Sequence, residues 1–109
     1  IEEGQGCRPL DPDPLLARWW RSNLESFDRP ITERDREMGS TDMGDVSQVC
    51  RGLHPYLAVI DEGETVDFHT RDFTERAGQE RAWTAMLDGA KLLAMTALDA
   101  FAHLGDEQV

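Results

Sequence analysis

Between positions 79 and 104 the apolar residues fall three and four apart: Trp83, Leu87, Ala90, Ala94, Ala97, Phe101 and Leu104, with Met86, Leu93 and Leu98 widening the stripe. That spacing predicts one long amphipathic helix over 79–104, about seven turns in length. Arg81, Thr84, Asp88 and Lys91 take the opposite side, and Gly105 is a natural stop. A helix of this length needs a broad surface to cover. Its many alanines favour close packing against a sheet.

One other segment reads as a strand. Residues 53–60 (LHPYLAVI) are nearly continuous apolar sequence with β-branched residues at the end. Pro55 lies inside the run, so pairing begins after it or the segment sits on an edge. Upstream, Asp13 and Pro14 form a helix-start signal. Leu16, Trp20, Leu24 and Phe27 then line one face, which predicts a helix over 13–27. Trp19 and Trp20 read as packing residues, and Asn23 shares their face, an odd place for an amide. Residues 1–12 are an irregular lead-in, 28–37 a charged surface connection and 39–52 a glycine loop. One strand cannot make a sheet. The expected fold class is therefore α/β: part of a domain with a sheet flanked by helices, its other strands outside these 109 residues.

Composition narrows the partners. There are 22 acidic against 11 basic residues, a net charge of −11, which argues against a nucleic-acid surface. All the basic residues are arginine except Lys91. No run approaches the roughly 18 apolar residues of a membrane span. No signal peptide opens the chain, and the two cysteines, Cys7 and Cys50, cannot build a disulfide framework. A cytoplasmic setting is expected. Apolar helix faces left without cover should make the chain associate with another copy, so a homo-oligomer is expected too.

Chemistry concentrates in two places. His69 lies in the polar stretch Asp67-Phe68-His69-Thr70-Arg71-Asp72-Phe73. After a buried strand such a loop can place an imidazole on a divalent metal, and it is equally the surroundings of a solvated histidine. Asp61, Glu62, Glu64 and Asp67 could support a cation or simply form a solvated turn. The second place is Gly39-Ser40-Thr41-Asp42-Met43-Gly44, two glycines around hydroxyls and a carboxylate. If it turns into a short helix, free N–H groups there would suit an anion such as a substrate carboxylate. His54 reads as a rim histidine or a ligand contact, and His103 as a cation at a helix end.

The run from Gly39 through Ser47, then Leu53-His54-Pro55-Tyr56, His69-Thr70, and the stretch from Ala90 to Asp99 together resemble the carboxyl-terminal part of zinc-dependent amidohydrolases of the aminoacylase/carboxypeptidase G family. The branch most resembled contains p-aminobenzoyl-glutamate hydrolase and β-alanyl-lysine dipeptidase. The resemblance implies hydrolysis of an amide bond in an N-acyl amino acid, a dipeptide or an aryl-glutamate, with zinc as cofactor. It implies His69 as a metal ligand, with Gly63 the glycine that precedes it, and Ser40, Thr41 and Asp42 as substrate-binding residues. It places no catalytic residue in this segment: the remaining ligands and the catalytic glutamate belong to an amino-terminal half not found here. One histidine cannot hold catalytic zinc, which takes about three protein ligands. The 109 residues alone are therefore expected to be inactive. Asp45, where the family favours asparagine, and Cys50-Arg51-Gly52, where it favours a Val-Pro-Ser-like run, depart from the pattern. The competing reading is a non-catalytic module that binds through its apolar helix faces.

Overall fold

The computed structural model describes residues 6–31 and 41–103. Four helices form there: α1 (Pro14–Leu24), α2 (Met43–Ser47), α3 (Arg71–Ala77) and α4 (Glu80–His103). Leu104, the expected last residue of the long helix, lies outside the described residues.

The start of α1 follows from its cap. The Asp13 carboxylate accepts from the N–H groups of Leu15 and Leu16, both at 2.9 Å, and Pro14 needs no donor at the first position. Arg51 also donates to Asp13, and the Asp13 N–H donates to the Gly52 carbonyl at 2.9 Å. The Arg51 guanidinium and the capping N–H groups hold the Asp13 carboxyl below the usual carboxylate range, against the opposing effect of desolvation.

α1 runs antiparallel to α4, as successive contacts show. Trp19 meets His103 with ring centroids 5.9 Å apart, Asn23 donates to Asp99 at 2.8 Å, and Arg29, just past α1, pairs with Asp88 at 2.7 Å. Trp20, Leu24 and the fully buried Leu92 form the core, with Phe27, Leu53 and Leu57 packed against it. Each large side chain buried here contributes about 1.5–3 kcal/mol. The odd amide is explained by this geometry. Asn23 crosses the helix pair to reach Asp99 and, at 3.4 Å, the buried Thr96 hydroxyl.

Two expectations are corrected. The first is the α/β fold with its sheet flanked by helices: among the described residues there is no strand, and the architecture is helical. A strand exists by pairing, and 53–60 finds no second segment to pair with among the described residues. Two of its apolar side chains pack against helices instead. Leu53 and Leu57 rest on the core, and Leu57 approaches Gly89 so closely that a Cβ there would lie 3.2 Å from its Cδ1.

The second correction concerns α4. The stripe that spacing marks as apolar stays largely exposed among the described residues, and the opposite side makes the contact with α1. Trp83, Met86, Leu87, Leu93, Leu98 and Phe101 are between 57% and 86% exposed. The face that packs on α1 carries Ala82, Ala85, Leu92 and Thr96. Asp88, assigned to the solvent side, is largely enclosed by its pairing with Arg29. The physical reason lies in α1 and the residues just past it, which bring Asn23 and Arg29. Their polar groups find partners only on the side of α4 that holds Asp88, Thr96 and Asp99, and the small Ala82, Ala85 and Gly89 let neighbours approach there.

α3 occupies residues read from sequence as polar loop. The Thr70 hydroxyl caps it, accepting from the Phe73 N–H at 3.2 Å, with Asp72 in the first turn and Arg76 in the last.

Candidate functional site

The glycine loop leads into α2, a helix of one turn. Ser40 and Gly39 lie outside the described residues, so Thr41 and Asp42 are the described part of the predicted substrate loop. The Thr41 hydroxyl accepts from the Met43 N–H at 3.3 Å and shares a 3.1 Å hydrogen bond with His54 Nδ1. The His54 ring in turn stacks on Tyr56, centroids 5.1 Å apart. Asp42 is exposed and accepts from the Cys7 thiol at 3.6 Å. That carboxylate, first as hydrogen-bond partner, then with desolvation and its charge, pushes the Cys7 thiol up from its ordinary value.

The first N–H groups of α2, expected to be free, are engaged. Gly44 N–H donates to the Thr41 carbonyl at 3.0 Å and Asp45 N–H to the Asp42 carbonyl at 3.1 Å. Gly44 itself serves a backbone. A Cβ built there would fall 1.9 Å from the Arg8 carbonyl oxygen, so only glycine lets the lead-in lie across α2. Polar bonds then lace the two together: Ser47 Oγ accepts from Asp11 N–H at 3.0 Å, and Gln48 donates to the Pro9 carbonyl at 3.0 Å. The second glycine of the motif is thus a close-packing residue.

His69 stands elsewhere. It is exposed, sits in the turn before Thr70, and has φ = 62°, a left-handed conformation that non-glycine residues adopt rarely. α2 and α3 do not touch, and the side-chain partners of Thr41 and Asp42 are Cys7, Met43 and His54, with no hydrogen bond to His69 among the described residues. Two carboxylates of the acidic run near it are partnered by arginines. Glu64 pairs with Arg76 at 2.6 Å and Asp61 with Arg81 at 3.0 Å. Among the described residues no group of three or more His, Cys, Asp or Glu side chains could hold a metal ion. These residues by themselves do not fit a zinc centre.

Sequence reasoning named Thr41 and His54 separately and missed that they form a pair. No spacing rule connects positions 13 apart across a turn of helix and a bend. His54 also opens an apolar groove of about 540 Å³ lined by Leu53, Pro55, Leu57, Ala85 and Met86. His54 is the polar side chain of that lining, and Thr41 holds it from outside the groove.

Comparison with known proteins gives a direct likeness. Over 92 residues, 81% of this chain, the sequence is 49% identical to Xaa-Arg dipeptidase of Mus musculus. Over 61 residues, 56% of the chain, it is 49% identical to Xaa-Arg dipeptidase of Homo sapiens. These stretches are 21% and 13% of those proteins, so the chain spans about a fifth or less of the relatives it matches. The likeness supports a relationship to peptidases and amidohydrolases. No family model matches the chain, and no solved structure matches it. No helix among the described residues is long and apolar enough to cross a membrane.

Proposed function

We propose that this chain forms part of a dipeptidase that hydrolyses the amide bond of a small dipeptide with arginine at its carboxyl end. The observation that carries the reading is the 49% identity over 92 residues to a protein named for that substrate. Within it, Ser40, Thr41 and Asp42 hold the substrate. Thr41 is positioned by His54 and the Met43 N–H, and the exposed Asp42 carboxylate is the group suited to a guanidinium. Zinc is the proposed cofactor, with His69 as one ligand and the others outside these residues. Placement in the branch of p-aminobenzoyl-glutamate hydrolase and β-alanyl-lysine dipeptidase rests on the motifs quoted above. The low cysteine count suits the cytoplasm.

The test is made on the longest gene product that contains these residues, with the 109-residue chain beside it. Metal content is measured together with hydrolysis of Xaa-Arg dipeptides, N-acyl amino acids and aryl-glutamates. The longer protein is expected to bind zinc and prefer the Xaa-Arg substrate, and the short chain to do neither. His69→Ala should abolish both metal and activity. Asp42→Asn should raise KM for the arginine dipeptide and leave a norleucine analogue unaffected. Full activity in His69→Ala, or hydrolysis of none of these amides, overturns the reading.

A further inference from the structure

The hydrogen bonds at Thr41 fix where its proton goes. The hydroxyl oxygen accepts from the Met43 N–H at 3.3 Å and lies 3.1 Å from His54 Nδ1. A hydroxyl carries one proton and two lone pairs. If Nδ1 held a proton, Thr41 would accept twice, and its own proton would have no acceptor among the described residues. With Nδ1 bare, the hydroxyl donates to the ring and both groups are satisfied. His54 is then the neutral tautomer with its proton on Nε2. Its surroundings hold the ring in place. Pro55 confines the backbone of His54 to extended conformations. Tyr56 stacks on the imidazole with 23° between the ring planes, and the side chain is half-buried along the groove.

We propose that His54 is a positioning residue: by taking the Thr41 proton it leaves that hydroxyl an acceptor only, so that Thr41 and Asp42 together receive N–H groups of a cationic substrate side chain. One lone pair of Thr41 remains after Met43 has used the other. At Asp42 the Cys7 thiol occupies Oδ1 and leaves Oδ2. The N–H groups of Met43, Gly44 and Asp45 are all engaged within the loop. Those are the donors that an anion at the start of α2 would need. Neighbouring acceptors suit a guanidinium, which has five N–H donors and no acceptor, and they repel a carboxylate, which has no donor. The cationic identity of the side chain rests on the dipeptidase reading. The direction of the Thr41 proton does not.

The 109-residue chain holds three histidines, so their ring nitrogens can be followed separately by NMR after histidine labelling. At about pH 8.5, where imidazoles are neutral, His54 is expected to show one fixed tautomer with its proton on Nε2, while the exposed His69 averages over both. Thr41→Val should return His54 to a mixture, and Thr41→Ser should not. In the longest gene product, Thr41→Val and His54→Phe should each raise KM for an Xaa-Arg dipeptide roughly 10- to 100-fold, the loss of one charge-assisted hydrogen bond. kcat should stay nearly constant, and a norleucine analogue should be unaffected. The double variant should be no worse than either single one. His54→Asn, whose amide oxygen can stand in for Nδ1, should recover most of the loss, and His54→Gln should not. Thr41→Val is nearly isosteric and carries the test if His54→Phe fails to fold. A proton on Nδ1, a mixture at His54, or an equal rise in KM for the norleucine analogue overturns the proposal. A fixed Nε2–H tautomer in a protein that hydrolyses none of these amides overturns the dipeptidase reading instead and leaves the hold of His54 on Thr41 standing.

Discussion

The inner and outer sides of α4 differ in almost every property that governs packing. The inner side is made of small residues, one fully buried leucine and polar groups that each have a partner on α1 or just beyond it. The outer side holds larger apolar residues that stay 57–86% exposed among the described residues. Helix contacts are therefore selected by fit and by satisfied polar groups. The largest apolar surface did not win the contact. A buried Asn23 or Arg29 without a partner would cost on the order of 1–3 kcal/mol, more for the charge, which is enough to outweigh one extra leucine on the interface.

The comparison breaks most cleanly at Leu92. Leu92→Ala should lower the stability of the chain by about 2–5 kcal/mol in denaturant titration, because the cavity opens in the middle of the core. Leu87→Ala, one turn away on the outer side, should change the stability of the monomer by less than about 0.5 kcal/mol. If the two cost the same, the assignment of faces is wrong. A second test moves to the lead-in. Gly44→Ala drives a methyl into the Arg8 carbonyl and should cost about 1–3 kcal/mol, read as faster amide exchange over residues 7–11 with the α1–α4 core unchanged.

Smaller effects sharpen the polar side. Asn23→Ala removes a donor from a half-buried Asp99 and should cost about 1–2 kcal/mol, with Thr96→Ala adding less than its own separate effect because both share that amide. The smallest concerns Asp13. Asp13→Ala should cost about 1 kcal/mol as a lost cap. Its carboxyl is held below its ordinary value, so the stability it contributes is present above that ordinary value, near pH 4, and fades as pH falls through the lowered one. Arg51→Ala should shrink this acid-side slope, measured as melting temperature between pH 6 and pH 2.

The start of α1 was legible because Asp13-Pro14 carries its mechanism locally, and the length of α4 because apolar spacing of three and four sustained over 24 residues leaves a strong period. The strand was misread because apolar content at 53–60 reports contact with a core, here half-burial of Leu53 and Leu57, and such contact does not require pairing. α3 was missed although Thr70, Asp72 and Arg76 supply a cap and both charge signals, because its seven residues hold only Phe73 and Ala77 as apolar markers, too few to set a period. The loop of Thr41 and Asp42 was legible as a motif. The meaning of its second glycine was not, because the Arg8 carbonyl that occupies the missing side chain's place lies 36 positions away.

The bond from Asn23 to Asp99 spans 76 residues, and the core it supports joins Trp20 and Leu24 to Leu92 over a similar distance. The contacts that stabilise the chain are thus the ones with the largest loop to close, and they form only after the entropy of that closure has been met. Neither half contains a core of its own. A chain divided between Cys50 and Arg51 separates α1 from α4, so each piece should be unstructured alone, and mixing the two should restore helix and the burial of Trp20 together in a single bimolecular step.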